Sequence, residues 1–188
     1  MTLTPDDLIG YVERDLDADL ARWFPGGPPV TVPVETRSVA PMLDRLPPAT
    51  AAALAALDRR VRSGRMPQFL DMYHWSYGFD FAGNDCRILE ADYETELTDD
   101  DVYSIGADGG GNLYVVLTDG QVGFWFHEEE VVEGDSRFDN LDVFVWSVVR
   151  YAAVRAGVLE RAAVEADFLS LGQDGALRPE LGLLSMMK

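Results

Sequence analysis

The sequence predicts an α+β chain. Stretches of helical period lie toward both ends, strand-period segments lie between them, and one hairpin in the middle stands out. That hairpin joins "NLYVVL" (112–117) to "QVGFWFH" (121–127) through Asp119-Gly120, a pair suited to tight turns.

The first element is a helix in "LTPDDLIGYVERDLDADLARWF". Thr4 can cap it, Pro5 suits the first helical position, and Asp6 and Asp7 favour the positive end of the dipole. Leu8, Val12, Leu16 and Leu20 form an apolar stripe that Trp23 and Phe24 extend, and "PGGPP" (25–29) stops it. "VTVPVETRSV" alternates Val30, Val32 and Val34, which predicts a strand, with Pro33 placing it at a sheet edge. "LPPATAAALAALDRRVRSG" predicts a second helix ended by Gly64, with Arg59, Arg60, Arg62 and Arg65 as solvated charges at its C-terminus.

"YHWSYGFDF" (73–81) places Tyr73, Trp75, Tyr77, Phe79 and Phe81 in strict alternation, predicting a strand with one aromatic face buried as core. "AGND" supplies a turn and "CRILEA" a returning strand. "ADYETELTDDD" reads as an acidic loop, "DVYSI" as a short strand, and "EEEVVEGDS" as a second acidic loop. Ser136 or Asp139 is expected to cap a helix bearing Phe138, Leu141, Val145, Val148 and Ala152, with Gly157 as its stop. The tail carries helical segments and a turn at "GQDG".

The 188 residues suit one domain, 1–188, divided into an N-terminal part (1–65), a sheet-and-helix part (69–157) and a C-terminal extension (158–188). The longest apolar run, "VFVWSVV", is far short of the roughly 20 residues of a membrane span. The start "MTLTPDDLIG" has no basic, apolar export pattern, and Cys86 is the single cysteine. The expected setting is cytoplasmic, without a membrane partner.

Fifteen basic residues against 33 acidic ones give a net charge of −18. Nucleic-acid binding relies on cations that neutralise phosphate, so no nucleic-acid partner is expected. From Ile88 to Ser136 there are 14 acidic residues and no Lys or Arg. Such a field repels phosphates and attracts basic surfaces.

Chemistry-bearing motifs give no catalytic assignment. The glycines of "IGADGGGNLYVVL" (105–117) lack the lysine and following helix of a phosphate loop. No segment has the spacing of a calcium loop, and "DDD" reads as a solvated run. His74, His127 and Cys86 have no zinc-ligand spacing. No nucleophile elbow occurs. The expectation is no enzyme, no metal and no cofactor, with the glycines serving a positive-φ turn into a core strand.

One stretch resembles a known family. "VYSIGADGGGNLYVVLTDGQVGFWFHEEE", followed by "SRFDNLDVFVWSVV", is similar to the SUKH superfamily, which includes Smi/Knr-type fungal cell-wall regulators and many bacterial immunity proteins. Ile105, Gly106, Asp108, Gly109, Gly110 and Gly111 match its turn. Leu113, Tyr114, Phe124, Trp125 and His127 match its two strands, and Ser136, Phe138 and Leu141 its helix entry. The resemblance covers residues 102–152, while the N-terminal half diverges.

The resemblance implies a largely antiparallel central sheet of about five or six strands packed against helices. It also implies a binding module that neutralises a toxin by direct contact, the toxin being a basic, nuclease-type domain encoded nearby. A scaffold or regulatory protein of the Smi/Knr type is the alternative, and an enzyme or metal-dependent binder is the third class. Asp99, Asp100, Asp101, Glu128, Glu129, Glu130 and Glu133 are the candidate partner-binding acids, on loops flanking the glycine turn and hairpin.

Overall fold

The N-terminal stripe folds as expected but in three pieces. In the computed structural model, which describes residues 2–85, 88 and 97–187, Thr4 donates from its amide and hydroxyl to Asp7 at 2.9 and 2.7 Å, starting a 3-10 turn over Pro5–Leu8. Gly10, at φ 81, breaks this turn from α1 (Tyr11–Arg14), and α2 (Leu16–Trp23) follows. Leu8, Val12, Leu16 and Leu20 are buried. The piece is anchored from afar: the Asp142 carboxylate accepts from the amides of Gly10 and Val12 at 2.9 and 2.8 Å.

The strand expected over 30–39 does not form. Its vicinity offers one isolated bridge, Pro29 to Pro67, and Val34 is 97% exposed. Pro33 has no N–H to donate, and its carbonyl instead takes the Thr36 amide in a turn. A short α3 (Ala40–Leu43) leads to α4 (Pro48–Arg62), which ends at Gly64 with φ 67. The arginines at that end are not simply solvated. Arg60 is buried and pairs with Asp17 at 2.8 Å, tying α4 to α2.

The sheet among the described residues is an antiparallel meander in the order β1 to β5: β1 (Gly78–Phe79), β2 (Val102–Ala107), β3 (Leu113–Leu117), β4 (Val122–Phe126) and β5 (Val131–Phe138). Together with the helices this is an α+β fold. The long aromatic strand shrinks to β1. Tyr77, Phe79 and Phe81 are buried as expected, but Tyr73 and Trp75 point to solvent, 93% and 66% exposed. Trp75 has φ 47, which breaks the extended chain and with it the alternation. The second acidic loop is also corrected: residues 127–130 turn, and β5 begins at Val131, pairing with Phe126. The returning strand "CRILEA", apart from Ile88, and residues 91–96 of the first acidic loop lie outside the described residues.

The strand period sorts the two faces of the sheet. Tyr103, Ile105, Tyr114, Val116, Phe124 and Phe138 join the main core under α5 (Leu141–Arg155). Val102, Val115 and Leu117 face the other way, with Ile88, Leu97 and Trp125. α5 is capped by Asn140, whose Oδ1 accepts from the Val143 amide at 3.0 Å, in place of Ser136 or Asp139. A side chain directly before the first turn is in reach of those amides.

The tail folds back as α6 (Arg161–Leu171), α7 (Asp174–Leu177) and α8 (Leu183–Met186). Val164, Phe168, Leu171, Leu183 and Met187 enter the main core, and the Tyr77 hydroxyl donates to the Leu181 carbonyl. No helix among the described residues is long and apolar enough to cross a membrane.

Candidate functional site

The glycine stretch between β2 and β3 is a turn built around one buried carboxylate. Asp108 is 3% exposed. Its Oδ1 accepts from the amides of Gly110 and Asn112 at 2.7 and 3.1 Å, and its Oδ2 accepts from Asn112 Nδ2 at 2.6 Å. A carboxylate only accepts, so the Asn112 amide nitrogen must face it. That leaves Asn112 Oδ1 for the other side, where it meets the His127 amide at 3.0 Å and His127 Nδ1 at 2.7 Å. Nδ1 therefore carries the proton. Three groups from two connections are locked in one chain of hydrogen bonds.

The glycines have separate reasons. Gly109 and Gly111 hold φ 77 and 106, conformations that side chains rarely adopt, whereas Gly110 is not in the left-handed region. What Gly110 needs is space, since a Cβ there would sit 3.3 Å from the Trp75 ring. At Gly111 it would meet the His127 ring at 3.1 Å. Ile105 is fully buried at an irregularity in the pairing of β2 with β3, and a Cβ on Gly106 would sit 3.0 Å from the Gly78 carbonyl. Trp125 lies on the second sheet face, its Nε1 enclosed with no hydrogen-bond partner among the described residues.

The seven acidic candidates do not form one patch. Three strands separate Asp99–Asp101 from Glu128–Glu130, so the two groups emerge at opposite ends of the sheet, about 20 Å apart for strands of this length. Asp99 and Asp101 are committed to the fold, whereas Asp100 is exposed and engaged only through its backbone carbonyl. Asp99 pairs with Arg37 at 2.9 Å and its Oδ1 accepts from the Ile88 amide. Arg45 donates to the Asp100 carbonyl and pairs with Asp101. Glu133 lies 3.5 Å from Arg178.

Glu128 and Glu129 differ from Asp99 and Asp101. Both are exposed, and neither has an ion-pair partner among the described residues. Glu130 holds φ 53, and its Oε2 is enclosed with no hydrogen-bond partner among the described residues.

Asp101 supplies a pH test of this division. Hydrogen bonds from the Thr98 hydroxyl and amide, with the Arg45 guanidinium beside them, hold its carboxyl below the ordinary aspartate value of 3.8. Its stabilising contribution is then present above that value and lost as pH falls through the lower, folded one. A carboxyl NMR titration is expected to place the Asp101 midpoint under 3.8, and Thr98→Ala to move it upward. A native midpoint at or above 3.8 would refute the cap.

Next to the glycine turn lies a loop that the strand reading hid. Ser76 is buried, and its hydroxyl accepts from the Asp71 amide while donating to the Asp71 carbonyl at 3.0 Å. Asp71 Oδ1 accepts in turn from the Tyr73 amide at 3.0 Å. Under the loop and α5 lies a cavity of about 340 Å³, lined by Phe24, Phe69, Ser76, Tyr151 and Arg155 among others. No signal of period reveals the Asp71–Ser76 clasp or Asn112, because each depends on a tertiary partner. Only the Asx-forming residues in "LDMYHWS" and "GGGN" hint at them. Among the described residues no group of three or more His, Cys, Asp or Glu side chains is placed to hold a metal ion.

No protein-family description, curated protein or solved structure matches the chain.

Proposed function

We propose that the chain is a non-enzymatic protein-binding module of the immunity type, neutralising a basic, nuclease-type toxin by direct contact. The observation that carries this reading is the exposed pair Glu128 and Glu129, unpartnered among the described residues and set in a segment without a single cation from Ile88 to Ser136. Unneutralised carboxylates on a turn held by the His127–Asn112 bonds offer a fixed negative surface. Complementary charge of this kind chiefly raises association rate and selectivity. The SUKH-like stretch over 102–152 supplies the toxin-neutralising sense of the binding, which charge alone does not carry.

Co-expression with the product of the neighbouring open reading frame tests the reading. That product is expected to be toxic alone and harmless with this chain. Reversing Glu128 and Glu129 to Lys is expected to slow association about tenfold at low salt, with the unfolding midpoint unchanged. A non-toxic neighbour that fails to bind the chain would remove the immunity reading. Unchanged association would remove this pair from the interface.

A further inference from the structure

The loop over residues 71–76 displays apolar side chains that a lone folded chain has no reason to expose together. Met72, Tyr73 and Trp75 are 69%, 93% and 66% exposed. Large apolar groups clustered on a surface mark contact sites, whereas single ones do not. Nor is the loop loose. The Asp71–Ser76 clasp closes it, and the Trp75 carbonyl is near the Arg155 guanidinium. Gly78 lets the loop's stem pass so close that a Cβ there would sit 2.1 Å from the Leu70 nitrogen. Trp75 is held at φ 47, a costly conformation for a bulky residue. The fold thus pays a conformational cost to hold an indole in water.

The same loop rests on the glycine turn. A Cβ on Gly109 would meet Met72 at 3.4 Å, and one on Gly110 would meet the Trp75 ring. Gly111 abuts His127, which leads directly into Glu128 and Glu129. A second cavity of about 330 Å³ opens beside Trp75, bounded by Arg155, Glu180 and Met186. Aromatic ridge, glycine turn and acidic turn are therefore neighbours at one end of the sheet. Among the described residues there, the carboxylates of Asp71, Glu128, Glu129 and Glu180 outnumber the Arg155 guanidinium.

We infer that Tyr73 and Trp75 are the anchors of a docking surface for a basic protein, with Glu128 and Glu129 as its charged rim. This rests on the protein-binding reading above and adds the contact residues and the partner's chemistry. Arginine and lysine side chains of the partner stack on the two rings and pair with the rim carboxylates. The net charge of −18 works against a second copy of the chain or an anionic membrane as the occupant. Rigid aromatic anchors bounded by polar groups are where binding energy concentrates, and a pre-formed loop lowers the ordering cost.

The test uses an arginine–glycine repeat peptide as the probe and a glutamate–glycine repeat as its control, with amide and indole signals followed by NMR. The Trp75 indole and the amides of Gly109–Gly111 are expected to shift with the basic peptide only. The variant Tyr73→Ala/Trp75→Gly is expected to bind about tenfold more weakly, with a thermal midpoint equal to or above that of the native chain because the φ strain is relieved. A ring with a structural role would lower the midpoint instead and overturn the inference. If the variant binds as tightly as the native chain while Glu128→Lys/Glu129→Lys does not, the ridge is no anchor and the acidic surface stands alone. If the native chain binds neither peptide, both readings fall. A concentration-dependent dimer abolished by Tyr73→Ala/Trp75→Gly would assign the ridge to a second copy and overturn the basic partner.

Discussion

Phe144→Ala is expected to destabilise the protein by about 3–5 kcal/mol. The ring is fully buried in the first half of α5. Its centroid lies 4.9 Å from Tyr114, 5.3 Å from Phe138 and 6.3 Å from Phe79, so one side chain joins α5 to β3, β5 and β1. Truncation removes those contacts and opens a cavity that rigid strands on three sides cannot close. Domains hold only about 5–15 kcal/mol in total, so the variant is expected to be partly unfolded at physiological temperature. Phe144→Leu keeps most of the volume and should lose about 1–1.5 kcal/mol. Urea melts of both variants check this, with the slope unchanged if the transition stays two-state. Equal midpoints for the native chain and Phe144→Ala would mean that the helix does not pack on the sheet as described.

What the sequence reveals of this core follows from period. Tyr114 and Phe124 fall on one side of an alternating hairpin, and Gly120, at φ 92, sits where Asp119-Gly120 marks the turn. The stripe of Leu8, Val12, Leu16 and Leu20 survives even though the helix is interrupted, because the three pieces still present one side to α5 and α4. Alternation misleads at 73–81 for a physical reason. A spacing of two is satisfied equally by a strand and by a loop that leads into one, and only the backbone at Trp75 distinguishes them. That backbone is set by Ser76, the glycine turn and Leu70, none of which a local pattern encodes.

The acidic residues were half legible for a similar reason. Their excess between Ile88 and Ser136 is plain in the sequence, but its division is not. Each strand carries the chain across the sheet, so an odd number of strands between two loops sends them to opposite ends. Asp99–Asp101 thereby fall beside Arg37 and Arg45, more than fifty residues earlier in the chain, which pair with the carboxylates of Asp99 and Asp101 and with the backbone carbonyl of Asp100. Glu133, expected on a loop, is drawn into β5 and toward Arg178. Glu128 and Glu129, on the turn between β4 and β5, stay exposed and without an ion-pair partner among the described residues.

Asp108→Ala should cost about 3 kcal/mol, and it links the stability of the glycine turn to the geometry of the acidic one. The substitution strips acceptors from the amides of Gly110 and Asn112 and from Asn112 Nδ2, while the carboxylate they surround is buried. Buried donors left without partners lose more than the net worth of their bonds. Asp108→Asn should fall between the native chain and Asp108→Ala, because its Oδ1 can still accept from the two amides while its own amide nitrogen opposes Asn112. The disturbance then passes along the chain of bonds. Asn112 Oδ1 is the acceptor for both the amide and Nδ1 of His127, so a loosened Asn112 frees the ring and the residues after it. Loss of the His127 Nδ1–H signal and faster exchange at Gly110 and Asn112 are expected alongside the lowered midpoint. Glu128→Ala, on the exposed turn itself, should change stability by no more than about 0.5 kcal/mol. A cost for Asp108→Ala as small as that would mean that the turn holds its shape without the carboxylate. His127 and the acidic turn would then owe their placement to the sheet alone.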